Sequence, residues 1–162
     1  MSQSTSAARQ QSADVIVVGA GPGGEVRRFD TDEHPRRGLT LEGMAELHQA
    51  TGLPLATNMV VTNWAELKRS IALNSVQILL SDHHYWGGLR ATQALARTCQ
   101  AFGLGLSMHS NSHLGISLMA MTHLAASVQH LSYACDTHYP WQVDEVIAGG
   151  KLQIRNGELA PP

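Results

Sequence analysis

The chain has 162 residues, 43% of them hydrophobic, enough for one domain with a core of its own. Its formal net charge of −2, with no basic cluster, excludes a nucleic-acid-binding footprint. Two cysteines, Cys99 and Cys135, without CxxC spacing, make no disulfide framework and point to a reducing cytoplasm, and no stretch approaches the roughly 18 apolar residues of a membrane span.

Residues 1–38 form an N-terminal segment of distinct character. The start, "MSQSTSAARQQSAD", is a polar lead-in without the apolar core of a secretory signal. Then "ADVIVVGAGPGG" reads as a strand leading into a glycine-rich turn. Gly19, Gly21 and Gly24 fit GxGxxG, the dinucleotide fingerprint. That fingerprint requires a helix whose N-terminus holds the pyrophosphate and an acid about 20 residues on. The next stretch, "EVRRFDTDEHPRRG", lacks apolar periodicity, carries Pro35 and reads as linker; Glu42, at about the right distance, falls in a helix. An FAD- or NAD-dependent oxidoreductase fragment is the alternative this segment leaves open, against a plain glycine-rich turn or a segment joined from elsewhere.

Residues 39–150 are more regular. "LTLEGMAELHQATG" predicts a helix with Thr40 as N-cap and Gly52 as stop. Then come "LPLATNMVV" as strand, "WAELKRSIALN" as helix, "VQILLSD" as strand and "GGLRATQALARTCQAFG" as helix. "LGLSMHS" is a strand, "LGISLMAMTHLAASV" a helix, and "LSYACDTHY" a last strand. Short continuous apolar strands alternating with helices predict an α/β fold of right-handed βα units around a parallel sheet. In the tail, residues 151–162, "NG" between "LQIR" and "EL" is a hairpin signal.

Each unit places its polar residues where the strand stops: Thr57-Asn58, Asp82-His83-His84, His109-Ser110-Asn111 and Asp136-Thr137-His138. In parallel α/β folds that edge holds ligands, and in barrels it holds catalysis. A lone polar residue there is commonly a helix cap, a reading open for Ser81, Ser112 and Thr137. Four matching units together argue for an active-site rim. His109 is the candidate proton carrier near neutral pH. Asp82, ending the adjacent strand, is placed to orient that imidazole. Asn58 offers a neutral oxygen to a hard cation or a hydroxyl, and Ser110, Asn111 and His138 offer hydrogen bonds to a polyhydroxylated acid.

The stretches "LPLATNMVVTNW", "SDHHYWGGL", "HSNSHLGISLMAMTHLAA" and "DTHYPWQ" resemble the glucarate dehydratase family of the enolase superfamily, in register from about Leu41 to Gly150. The resemblance implies a mandelate racemase-like, C-terminal (β/α) barrel of the TIM type, Mg²⁺, and dehydration of an aldarate, D-glucarate first, to a keto-deoxy acid. It implies that Asn58 is a metal ligand, that His109 and Asp82 form the acid/base dyad, and that Asn111 and His138 contact substrate, with Ser110 beside them.

The sequence also departs from that family. Its Lys-x-Lys base is missing, since Lys68 and Lys151 are the only lysines and neither stands in such a motif. The family's two acidic metal ligands have no counterpart: Asp30, Asp32 and Glu33 lie in a non-apolar stretch. The expectation is the second half of the barrel, an incomplete and inactive form that holds Mg²⁺ poorly on one amide. Completion by a homo- or hetero-oligomer, for instance as partner subunit of a full-length dehydratase, is a further alternative.

The remaining candidates read as structural. Adjacent histidines in a loop rarely hold one ion, so His83 and His84 read as loop residues. His123 reads as packed or half-exposed on a helix, and His48 and His130 as surface. Cys99 and Cys135 read as buried small hydrophobes, the latter in a strand; Met108, Met119 and Met121 as core filler. Trp86 and Trp141 read as flanking the rim, to shape or cover the site rather than touch chemistry.

Overall fold

The computed structural model describes residues 16–17, 40–110 and 113–161. Five parallel strands lie in sequence order: β1 (Ile16–Val17), β2 (Leu55–Thr57), β3 (Ile78–Ser81), β4 (Gly105–Ser110) and β5 (Asp136–Thr137). Helices α1 (Leu41–Thr51), α2 (Trp64–Leu73), α3 (Leu89–Phe102) and α4 (Gly115–Ser127) alternate with them, and a 3₁₀ turn at Tyr139–Trp141 comes after β5. Sequential parallel strands joined by right-handed crossovers put every helix on one side of the sheet. That is the arrangement of a sector of a (β/α) barrel.

Local chemistry accounts for the helix bounds. Thr40 caps α1, its hydroxyl accepting from the Gly43 amide at 3.0 Å, and Gly52 ends it at φ 68°. Asn63 caps α2 through Oδ1, while Glu66 Oε2 reaches back to the Thr62 amide at 2.7 Å. The strands are shorter than their apolar runs where side chains compete for the backbone. Thr57 Oγ1 accepts from the amides of Met59 and Val60, which turns the chain and ends β2 at Thr57. "LSYACDTHY" gives only two strand residues, so Cys135 lies before β5 rather than in it.

Alternation along the strands separates two faces. Leu55, Leu79, Leu106 and Met108 point to the helices and enter two buried clusters. The first holds Met44, Leu67, Leu95 and Cys99 with Leu55, Leu79 and Leu106; the second gathers Leu118, Met121, Leu124 and Tyr139 around Met108. The opposite face carries Ala56, Ile78, Leu80, Ser107 and His109. The register agrees, pairing Ile78 with Gly105 and Leu79 with Leu106. Gly105 has a reason to be glycine: a Cβ there would stand 2.9 Å from the Tyr133 ring and 3.1 Å from Ile78 Cγ1.

Several single expectations meet the structure here. Arg155 and Glu158 form an antiparallel bridge around Asn156-Gly157, both at positive φ, as the hairpin signal predicts. His48 and His130 are half-buried rather than surface residues, each with a ring nitrogen 2.8 Å from a backbone carbonyl oxygen, of Leu53 and Leu104 respectively. His123 is exposed on α4 and Met119 half-buried. Trp86 is not a cover at the rim; it is buried in the first cluster with the Trp64 ring against it edge-on at 5.3 Å. The N-terminal apolar run does supply a strand, pairing Ile16 with Leu55. Gly19, Gly21 and Gly24 lie outside the described residues, as does most of the 1–38 segment.

Candidate active site at the carboxyl edge of the sheet

The strand ends gather histidines and carboxylates into two groups. The first is cross-strand. The β4–β5 register sets His109 opposite Asp136, and neighbours across a parallel pair point to the same face. His109 Nδ1 lies 2.7 Å from Asp136 Oδ1, with the imidazole buried and the carboxylate more than half exposed. A carboxylate on Nδ1 fixes the tautomer and orientation of the ring. The His138 ring stands edge-on to it, centroids 5.9 Å apart, and Trp141, 77% exposed, lies 5.1 Å beyond His138.

The second group is built by the loops after β3 and β4. Asp82 Oδ1 accepts from the His84 amide at 2.9 Å and from His84 Nδ1 at 2.8 Å; Oδ2 accepts from His113 Nε2 at 3.1 Å. Burial alone raises the Asp82 pKa, yet the hydrogen bonds from His113, the His84 amide and the His84 ring together hold its carboxyl well below the usual carboxylate range. Burial first, and then the neighbouring His84, push the His83 pKa below the ordinary imidazole value.

These pairings place the two residues of the expected dyad in different groups. Strand β3 ends at Ser81, so Asp82 leaves the sheet and its carboxylate closes a tight turn on His84. The carboxylate that the structure sets against His109 Nδ1 is that of Asp136. Ser110 also departs from its expected place. It is fully buried on the face opposite His109, its hydroxyl accepting from Thr137 Oγ1 at 3.2 Å, which is packing rather than substrate contact. Asn58 stands half-buried just past β2, on the same edge as His109 and His138. Asn111 and Ser112 lie outside the described residues. Two participants were missed. Asp136 could have been found by aligning strand ends instead of sequence motifs. His113 occupies the loop after β4 as His83 and His84 occupy the loop after β3, a match one βα unit apart.

The donor set can be tested against magnesium. That ion takes near-octahedral hard oxygens, chiefly carboxylates and water. Among the described residues, the rim offers it the Asn58 amide oxygen, while Asp82 is engaged by two imidazoles and Asp136 by one. The described residues bring three histidines together, His83, His84 and His113, each offering one ring nitrogen. By themselves the described residues supply one hard oxygen toward magnesium and not a full set.

Comparison with known proteins gives the site its context. The profile of the family described as enolase C-terminal domain-like matches residues 30–162. A protein of Streptomyces coelicolor named probable glucarate dehydratase is 57% identical over 122 residues, covering 72% of this chain and 28% of that protein. The crystal structure of an enolase from Pseudomonas fluorescens with bound magnesium, potassium and tartrate is 70% identical, with a TM-score of 0.74 over 75% of this chain and 29% of that one. An enolase of Mycobacterium smegmatis complexed with tartrate is 57% identical, with a TM-score of 0.71 over the same shares. The chain thus spans under a third of the length of these relatives.

Proposed function

Because the chain belongs to the enolase C-terminal domain-like family, we propose that it carries the proton-transfer edge of an acid-sugar dehydratase of the glucarate type. The substrate class is an aldarate, D-glucarate first. The reaction removes the proton α to a carboxylate and expels the β-hydroxyl as water, leaving a keto-deoxy acid. The setting is the cytoplasm, on the cysteine usage.

His109 is the proton carrier. With Nδ1–H held by Asp136, the basic nitrogen of the ring is Nε2. Taking the α-proton makes an imidazolium, which Asp136 stabilises and which can return the proton to the departing hydroxyl. His138, beside His109, and Asn111 contact the substrate, and Asn58, just past β2, offers an amide oxygen at the same edge. The observation that carries this reading is the buried His109 bonded to Asp136 at the strand ends, in a sequence 57% identical to a probable glucarate dehydratase. An enediolate needs a cation beside it, and Asn58 alone would hold magnesium poorly. The chain by itself is therefore expected to be silent toward D-glucarate, with turnover requiring the rest of a barrel.

Segment exchange tests this. Residues 40–161 replace their counterpart in the Streptomyces coelicolor relative, and the chimera is assayed with D-glucarate and magnesium for the α-keto product. Turnover is expected, falling by about 10²–10⁴-fold in His109→Ala. A folded chimera without turnover, or one indifferent to His109→Ala, would overturn the proposal.

A further inference from the structure

The loops after β3 and β4 crowd together three imidazoles that dehydration does not use. His83, His84 and His113 each offer a ring nitrogen, and the three atoms lie within 4.8 Å of one another. Ring centroids are 4.2 Å apart for His83 and His84, 4.5 Å for His84 and His113, and 5.4 Å for His83 and His113. Adjacent residues of an extended strand would face apart. Here the turn that begins at Asp82 sets both rings on one side, closed by the Tyr85 amide on Asp82 O at 3.1 Å and the Gly88 amide on His83 O at 2.8 Å.

Two of these rings are buried, with His83 7% and His113 8% exposed, and Nδ1 of each is buried without a hydrogen-bond partner among the described residues. The hydrogen-bond partners assign the protons on these rings. The Asp82 carboxylate only accepts, so His84 carries its proton on Nδ1 and His113 on Nε2. That leaves lone pairs on His84 Nε2 and His113 Nδ1. Ser117 Oγ lies 3.2 Å from His84 Nε2 and 3.3 Å from His83 Nε2. Its one proton goes to the His84 lone pair, so it accepts from His83 Nε2–H. The His83 lone pair is then on Nδ1. Two buried imidazole lone pairs thus meet no donor among the described residues, and such groups in folded proteins ordinarily face a bound ion or an ordered water.

We propose that His83, His84 and His113 form a binding site for a divalent transition metal of the zinc class, with Asp82 as the carboxylate behind two of the ligands. Three neutral imidazoles plus an open position suit zinc, whereas magnesium and calcium prefer oxygen. A tetrahedral ion with metal–nitrogen bonds of about 2.0–2.1 Å sets its ligands about 3.3 Å apart. Closing from the observed spacing, within 4.8 Å, asks for small side-chain shifts, for which the half-exposed His84 has the most room. The carboxylate–histidine–metal relay from Asp82 fixes two ligand tautomers in advance. Ser117 or a water completes the fourth position.

The test uses the full purified chain, stripped with chelator and titrated with zinc ion against a chromophoric competitor. One zinc per chain is expected. His84→Ala, a half-exposed change that spares the core, weakens it at least tenfold; Asp82→Asn weakens it about 10–100-fold; His123→Ala, exposed on α4, leaves it unchanged. Cobalt ion in place of zinc should give tetrahedral d–d absorption that His84→Ala abolishes. Absence of zinc uptake would overturn the proposal, as would uptake that His84→Ala leaves intact. Neither result bears on His109, so the dehydratase reading stands or falls separately.

Discussion

Replacing Leu106 and Leu80, one at a time, by alanine asks which face of the sheet meets the helices. Leu106 is fully buried in the first cluster and aligns with Leu79 across the β3–β4 pair. Leu80 lies one residue further along β3, on the face that carries His109, and is only half-buried. Leu→Ala removes three carbons, about 2.5 kcal/mol of transfer free energy for a closed site. The cavity left between β4 and its helices adds to that, for about 3–4 kcal/mol at Leu106. Leu80 should cost roughly 1 kcal/mol, since part of its surface is already in water. Urea unfolding monitored by far-UV circular dichroism, at unchanged m-value, measures both. A Leu80→Ala cost equal to or above that of Leu106→Ala would exchange the two faces. It would also put Ser110 rather than His109 toward the site.

Three further outcomes are expected. Asp136→Asn in the chimera should lower turnover at least tenfold by loosening the His109 tautomer, while Asp82→Asn costs less; the reverse order in a product assay would restore the Asp82–His109 dyad. Asp82, whose folded pKa is depressed, contributes stability that is fully present above the ordinary Asp value of about 3.9 and is lost as pH falls through the folded value. Acid titration of stability should therefore show a steeper loss below about pH 4 in the wild type than in Asp82→Asn, and parallel curves would remove the Asp82 network from the account. The Cys99 thiol, fully buried and pushed up to about 12 by burial, should resist a thiol reagent at pH 8 until the chain unfolds; labelling as fast as in denaturant would contradict its place in the core.

Features settled within a few residues were legible in the sequence. Thr40 and Gly52 bound α1, Asn156-Gly157 makes its bridge, and the alternation of strands and helices puts His109 and His138 at strand ends. What escaped depends on geometry between units. Asp82 and His109 end neighbouring strands, and nothing in "SDHHYW" says that the carboxylate turns back onto its own loop. The His109–Asp136 pair needs the β4–β5 register, which a two-residue strand scarcely announces. Likewise His83 and His84 look like an idle pair until the next unit brings His113 beside them. Of the two roles open to Trp86, its burial removes the cover and leaves the shaping one, because a residue near the rim in sequence can still point into the core.

The most direct measurement tracks the α-proton itself. The chimera is incubated with D-glucarate in deuterium oxide, and exchange at the carbon next to the carboxylate is monitored by proton NMR, for wild type and His109→Ala at matched substrate occupancy. The account predicts exchange in the wild type and its loss in His109→Ala. Exchange that persists without the His109 imidazole would show that another group takes the proton, and would contradict the role given to the His109–Asp136 pair.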